Sequence, residues 1–153
     1  MNLLLVTHAL VWWIKADPRL SEAARRAILD DDTGVYVSVA SAWEIAIKVG
    51  SGKWDEARKL LENSESAVAD EGFDLLPLAV IHVRTAGLMP VEHRDPFDRL
   101  LAAQASIEEL TLVTIDPSSP NFGRPCCGEA NPGSTHYLQG RRWTSQSQTI
   151  FRR

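Results

Sequence analysis

Four short apolar runs, separated by segments of helical character, constrain the fold of this chain more than any other feature. They are NLLLV (2–6), VYVS (35–38), FDLLPL (73–78) and TLVTI (111–115). The first run is continuous rather than alternating, as is required of a parallel strand covered on both faces. Strands that alternate with helices predict βαβ units and a parallel sheet with right-handed crossovers. We therefore predict a three-layer α/β domain with a central parallel sheet flanked by helices.

Helical segments are expected in the intervals between these strands. Ser21 and Ser38 are suitable N-caps, and Gly50 is a candidate C-cap. The segment 55–71 is amphipathic and charged, which is typical of a solvated covering helix. The predicted helices cover residues 9–16, 21–31, 39–50, 55–71 and 79–88.

The stretch 95–116 combines a helix start with a strand that ends in an acidic residue. Asp95 is a suitable N-cap, Pro96 occupies the first helical position, and Asp98 falls in the first turn, where the helix dipole favours an anion. The helix should run to about Glu109. Asp116 closes the following strand, and open α/β sheets build their sites at the carboxyl ends of strands.

Composition indicates a single soluble domain. The chain has 153 residues, of which 44% are hydrophobic, and no apolar run approaches the roughly 20 residues of a membrane span. The first segment lacks the basic region of a signal peptide, so we expect a cytoplasmic protein. The two cysteines, Cys126 and Cys127, are adjacent, a spacing that suits neither a disulfide nor a zinc site.

Three carboxylates are notable for their positions: Glu44 in an apolar helical segment, Asp98 in a first turn, and Asp116 at a strand end. Each also has an ordinary explanation. Glu44 is four residues before Lys48 and is suited to an i,i+4 surface pair. Asp98 is placed to complete a capping box with Asp95, and Asp116 to open a turn.

A shared location for the three carboxylates would have a chemical consequence. Like charges within several Å of one another require protonation or a cation between them. Mg²⁺ and Mn²⁺ are the natural occupants, since they bind through carboxylates, waters and phosphate oxygens. Such a site polarises a phosphodiester and generates a hydroxide nucleophile, so the constellation indicates phosphodiester hydrolysis.

Four linked motifs carry a resemblance to a known family. The motifs are NLLLVTHALVWW, VSVASAWEIAIKVGSGKW, HRDPFDRLLAAQA and TLVTIDP. With these motifs, the chain over about residues 1–123 resembles the PIN-domain ribonucleases of the VapC type, which are the toxins of prokaryotic toxin/antitoxin modules. The resemblance implies a mini-Rossmann-like PIN fold, RNA cleavage that depends on Mg²⁺ or Mn²⁺, neutralisation by a small cognate antitoxin, and a homodimer. It places the acidic quartet at position 6, Glu44, Asp98 and Asp116.

The chain departs from this pattern at position 6. The family has LLLDTHAL where this chain has LLLVTHAL, and Val6 can neither ligate a metal nor accept a proton. Loss of a supporting partner of a metal ligand lowers affinity or activity ~10–100-fold, so loss of a ligand should cost at least that. Thr7 and His8 are nearby candidates for a water-mediated replacement, but His suits a hard cation poorly, and we do not expect this rescue.

The C-terminal segment is the second departure. Residues 1–120 contain 11 Lys/Arg and 19 Asp/Glu, whereas residues 121–153 contain 5 and 1. The segment after Pro120 is rich in Gly, Pro, Ser, Thr and Gln without a sustained period. We predict a PIN domain over 1–123 and an atypical, poorly ordered extension over 124–153. Together with Val6, this extension suggests a decayed or altered copy of a family member.

Basic and aromatic residues near the motifs are candidates for binding surfaces. RNA requires positive charge close to the acidic centre. Lys48, Lys53, Arg94 and Arg99 are the best candidates, with Arg84 next; the alternative for each is a solvated surface position or a salt bridge. The tryptophans at 12, 13, 43 and 54 are expected mainly in the core, with one or two available to an antitoxin groove.

Three functions follow from these observations. The first is a metal-dependent endoribonuclease toxin, impaired by Val6, in which Glu44, Asp98 and Asp116 share metal binding and acid/base catalysis. The second is a catalytically inactive PIN-fold binding module that captures antitoxin or RNA. The third, a nucleotide-binding domain without hydrolysis, is disfavoured because no GxGxxG or Walker-type loop follows the first strand.

Overall fold

The computed structural model describes residues 1–89 and 95–114. In this part of the chain four strands alternate with seven α-helices and one 3-10 helix. The elements are β1 Asn2–Leu5, α1 Thr7–Ile14, α2 Glu22–Ile28, β2 Gly34–Ser38, α3 Val39–Gly50, the 3-10 helix Asp55–Ala57, α4 Arg58–Glu62, α5 Ser64–Asp70, β3 Asp74–Leu76, α6 Val80–Leu88, α7 Pro96–Ile107 and β4 Thr111–Val113.

The four strands form one parallel sheet in the order β3-β2-β1-β4. This arrangement confirms the predicted α/β fold class. Leu5 at the end of β1 is paired with Val37 of β2 on one side and with Val113 of β4 on the other. The strand order reverses at β1, because β2 and β3 lie to one side of it and β4 lies to the other.

The main core covers both faces of the sheet. Leu3, Leu4 and Leu5 of β1 are fully buried and belong to a cluster that includes residues from α1, α2, β2, α7 and β4. Their continuous apolar character is explained by helices on both sides of the sheet. Burial of side chains of this size stabilises the fold by about 1.5–3 kcal/mol each.

A smaller core cluster lies beneath the segment that follows α3. It joins Val11 of α1 to Ile45 and Val49 of α3, and to Ala57 and Leu60 after them. The predicted single helix over 55–71 is wrong: the structure has a 3-10 helix, α4 and α5, with an interruption at position 63. The residue there is an asparagine whose amide donates to a backbone carbonyl at 3.0 Å, and such side chains compete with helical hydrogen bonds.

Two predicted helix ends also shift. Gly50 is not the C-cap of α3; the helix includes it, Ser51 is the C-cap, and the left-handed residue is Gly52 (φ 68°). Helix α7 ends at Ile107 rather than near Glu109, which itself adopts a left-handed conformation (φ 56°). Within the described residues, no helix combines the length and apolarity needed to cross a membrane.

Candidate functional site

The carboxyl ends of β1 and β4 form the place where ligand sites are expected in such a sheet. The strand order reverses here, and open α/β sheets bind ligands in the crevice at this point. The Val6 N–H donates to the carbonyl of Val113 at 3.2 Å, so the two strand ends are joined directly. The backbone of position 6 therefore lies where the ends of β1 and β4 meet.

Glu44 is the buried acidic residue in the described part of the chain, and it contacts Thr7 just after the end of β1. It lies in the second turn of α3, and the residue is only 6% exposed. One carboxylate oxygen, Oε2, accepts a hydrogen bond from Thr7 Oγ1 at 2.5 Å, and the other, Oε1, accepts one from Lys48 Nζ at 2.5 Å. The predicted i,i+4 pair with Lys48 is present, but it is not a surface pair, because the acid is buried.

Val6 contributes no polar group to this crevice. Its side chain is 8% exposed and belongs to the main core cluster. It is also the N-cap residue of α1, where no side-chain hydrogen bond is made. An N-cap normally uses a Ser, Thr, Asp or Asn oxygen to accept from the first turn. Valine thus leaves position 6 without either a helix cap or a possible cation ligand.

Asp98 lies at the start of α7, on the helix that packs beside α3. The predicted helix start is confirmed: Asp95 Oδ1 accepts from the N–H of Phe97 at 2.8 Å, and Pro96 follows the cap. Asp98 is exposed in the first turn. The Phe97 ring meets that of Trp43 at 4.9 Å, so the residues preceding Asp98 and Glu44 in sequence are in contact.

The third predicted carboxylate, Asp116, lies outside the described residues. Strand β4, which precedes it, is described to its end at Val113 and lies beside β1. Among residues 1–89 and 95–114, no group of three or more acidic, His or Cys side chains is arranged to hold a metal ion. By themselves, the described residues therefore do not supply the ligand set of a divalent cation, and Glu44, already hydrogen-bonded at both oxygens, would have to share its carboxylate with Thr7 and Lys48.

A half-buried histidine, His8, contacts the same Trp54 ring as Lys48. The His8 ring lies 4.9 Å from the Trp54 ring, and Lys48 Nζ lies 4.9 Å from the same Trp54 ring. Burial lowers the pKa of His8 below its usual value, and the Lys48 ammonium lowers it further, while Glu44 opposes this shift. His8 is therefore neutral at pH 7, and the positive charge next to Glu44 belongs to Lys48.

The predicted RNA-binding residues differ in how available they are. Lys48 is bonded to Glu44, and Arg99 donates through Nε to the carbonyl of Ala86 at 3.1 Å, which ties α7 to α6. Lys53 and Arg84 are exposed. Arg94 lies outside the described residues. Two of the candidates thus have structural partners.

Sequence reasoning did not identify the direct partners of Glu44. Thr7 was considered only for a water-mediated role, but its hydroxyl contacts Glu44 directly and also lies 3.2 Å from Ser41 Oγ. Both hydroxyl residues are buried. The available signals were the position of Thr7 after β1 and the i,i+3 spacing of Ser41 and Glu44, which places them on one helix face.

Comparisons with known proteins agree with this architecture. The PIN domain family matches residues 3–123 of the chain. A search of curated proteins finds no match. Among the solved structures that match is a chain from the "Crystal structure of VapBC2 from Rickettsia felis bound to a DNA fragment from their promoter", with 19% identity and a TM-score of 0.52. The match covers 74% of this chain and 87% of that one, and it supports the same fold.

Proposed function

Because this chain belongs to the PIN domain family, we propose that it is a nuclease of the toxin/antitoxin type that cleaves RNA phosphodiester bonds, with activity weakened by Val6. One observation carries the proposal: a carboxylate, Glu44, is buried at the carboxyl end of β1, where the strand order reverses. Burial of an acid is costly unless it is compensated. A fold that retains one at this position favours a site over a simple surface pair.

The proposed active-site residues are Glu44, Asp98 and Asp116, and the proposed cofactor is Mg²⁺ or Mn²⁺. Hard cations of this kind bind carboxylate oxygens, often with only one or two from the protein. Contact between α3 and α7 supports a common location for Glu44 and Asp98. Asp116 is included from the motif pattern. The described residues alone do not complete the ligand set of such an ion.

The proposed partners are an RNA substrate, a cognate antitoxin and a second copy of the chain in a homodimer, in the cytoplasm. Lys53 is the described basic candidate that remains exposed near the end of α3, and Arg94 precedes the helix start at Asp95. The antitoxin is proposed from the fold shared with a chain of the VapBC2 structure and from the family motifs.

A second candidate function is a catalytically inactive binding module that captures antitoxin or RNA. Two observations favour it. Val6 presents a buried apolar side chain where the family has an acid, and Glu44 is neutralised by Lys48. A pocket that satisfies its own charge has less need of a cation than one with several unpaired carboxylates.

A cleavage assay distinguishes these functions. The parent chain, Val6→Asp, the uncharged control Val6→Asn, and Val6→Asp combined with Glu44→Gln are incubated with structured RNA and Mg²⁺ or Mn²⁺. We expect Val6→Asp to cleave at least ~10-fold faster than the parent, since a metal ligand is worth no less than a supporting partner. Val6→Asn should resemble the parent, and Glu44→Gln should abolish the gain.

Cleavage by Val6→Asp with none by the parent supports the binding module as the present function of this chain. No cleavage by any variant contradicts the nuclease assignment. Equal rates for the parent and Val6→Asp would show that position 6 is dispensable, contrary to the proposal.

A further inference from the structure

We propose that Lys48 is the resident counter-ion of Glu44: it positions the carboxylate without a metal and lowers the affinity of the crevice for divalent cations. The 2.5 Å contact between Lys48 Nζ and Glu44 Oε1 carries this inference. The Glu44 side chain is 8% exposed and that of Lys48 is 30% exposed. Lys48 is thus assigned to the acidic residue rather than to RNA.

The pairing satisfies a requirement that burial imposes on Glu44. A carboxylate removed from water needs a positive partner and hydrogen bonds at both oxygens. Lys48 supplies the charge at Oε1 and Thr7 supplies the hydrogen bond at Oε2. Each oxygen that a cation would use therefore already has a donor.

The surroundings of Lys48 hold its ammonium in place. Its spacing of four residues from Glu44 puts both side chains on one face of α3. The Trp54 ring lies under the ammonium at 4.9 Å, within the range of a cation–π contact. His8 faces the same ring, and its lowered pKa leaves it neutral, so it does not replace Lys48 as the counter-ion.

Competition with a divalent ion is the direct consequence. An ion that binds Glu44 must displace an ammonium at hydrogen-bond distance or share the carboxylate with it. Valine at position 6 adds no charge, so Glu44 and Lys48 form a pair with no net charge. The inference rests on the proposed function only in taking Glu44 as a candidate cation ligand.

The test compares the response of thermal unfolding to Mn²⁺ in the parent, Lys48→Met and Lys48→Arg. Methionine keeps an unbranched apolar stem and removes the charge, whereas arginine keeps the charge. Without Mn²⁺, we expect Lys48→Met to unfold at a lower temperature than the parent, because Glu44 is left buried and unpaired. Added Mn²⁺ should restore stability, with half-saturation at a concentration roughly tenfold or more below that of the parent.

A double variant, Lys48→Met with Glu44→Gln, removes both charges and separates the ion pair from general damage to packing. We expect it to be more stable than Lys48→Met without Mn²⁺ and to lose the enhanced Mn²⁺ response. Lys48→Arg should behave like the parent. If Lys48→Met does not fold even with Mn²⁺, then Lys48→Gln, whose amide can still donate to Oε1, is titrated in the same way and should show the same gain.

The inference is overturned if neither uncharged variant binds Mn²⁺ more tightly than the parent, or if the double variant keeps the enhanced response. This readout is independent of RNA cleavage. A gain in Mn²⁺ affinity with no RNA cleavage by any variant would support Lys48 as the counter-ion of Glu44 and contradict the proposed nuclease function. RNA cleavage by Val6→Asp, with no change in Mn²⁺ affinity when Lys48 is replaced, would support the nuclease function and contradict the counter-ion role of Lys48.

Discussion

Two neighbouring βα units, β1–α1 and β2–α3, share one geometry but differ in the residues that begin and end their helices. Leu5 of β1 pairs with Val37 of β2, so Val6 and Ser38 are the next residues along two adjacent parallel strands. Both are N-caps with extended backbones. Ser38 accepts a hydrogen bond from the N–H of Ala40 at 3.1 Å, whereas Val6 makes no side-chain cap.

The difference shows that α1 depends on its surroundings more than α3 does. Its first turns are held by burial: Ala9, Leu10 and Val11 are at most 2% exposed. Local rules are commonly broken at functional positions, where the exception supplies a chemical group. At position 6 the exception supplies none, since valine offers no side-chain cap to α1.

The largest predicted effect concerns the link between the two units, the hydroxyl of Thr7 in α1 and the carboxylate of Glu44 in α3. Thr7→Val keeps the side-chain shape and removes the donor to a buried charge. We expect the free energy of unfolding to fall by about 2 kcal/mol, since hydrogen bonds to charged groups are worth ~1.5–3 kcal/mol. Urea denaturation measures the change.

Ser41→Ala is the matched control for this prediction. It removes a buried hydroxyl that contacts Thr7 but for which no bond to Glu44 is found in the described structure. Its effect should be smaller, near the ~1 kcal/mol of a neutral hydrogen bond. Equal effects of Thr7→Val and Ser41→Ala would contradict the view that the charge of Glu44 makes the link between the units strong.

A second prediction exchanges the character of the two N-caps. Ser38→Ala should lower the free energy of unfolding by about 1 kcal/mol, the usual cost of losing a cap. Val6→Thr places a hydroxyl at the equivalent position of β1–α1. An unpartnered hydroxyl in an apolar site costs about 1–3 kcal/mol, so a change within ~0.5 kcal/mol of the parent would indicate that the new hydroxyl caps α1. A fall of about 1–3 kcal/mol in the free energy of unfolding of Val6→Thr would show that position 6 cannot serve as a cap.

The sequence was sufficient for the parts of the fold that depend on local pattern. Short apolar runs between helical segments predicted the four parallel strands. The caps at Ser21, Ser38 and Asp95 were predicted correctly, because each has a short polar side chain placed before a helical run. The break at Asn63 was missed, since the amphipathic pattern continues through it while the asparagine amide bonds to the backbone instead.

The candidate site was less accessible to sequence reasoning for a physical reason. The i,i+4 spacing of Glu44 and Lys48 suggested a surface pair as the ordinary explanation, but not that the acid would be buried, since its burial depends on β1 and Thr7, which are distant in sequence. Arg99 likewise suggested an RNA contact, yet it bonds to the carbonyl of Ala86. The placement of Asp116 remains a prediction from its motif.

The smallest predicted effect concerns the helix ends of the same two units. In both α1 and α3, the residue after the C-cap is left-handed: Ala16 (φ 50°) follows α1 and Gly52 (φ 68°) follows α3. In each helix, the N–H of this residue and the next N–H return to carbonyls of the last turn at 2.8–3.0 Å, which is the Schellman arrangement. Glycine adopts this conformation readily, whereas a Cβ makes it unfavourable.

Exchanging these two residues should therefore have opposite effects. Ala16→Gly is expected to raise the free energy of unfolding by about 0.5 kcal/mol, because relief of the left-handed strain exceeds the entropy that glycine adds to the unfolded chain. Gly52→Ala should lower it by about 1 kcal/mol. A Cβ at Gly52 would meet no atom within 4 Å, so the loss would report backbone conformation alone. Urea denaturation measures both changes. If the free energy of unfolding changes with the same sign in the two variants, the shared helix-end geometry is contradicted.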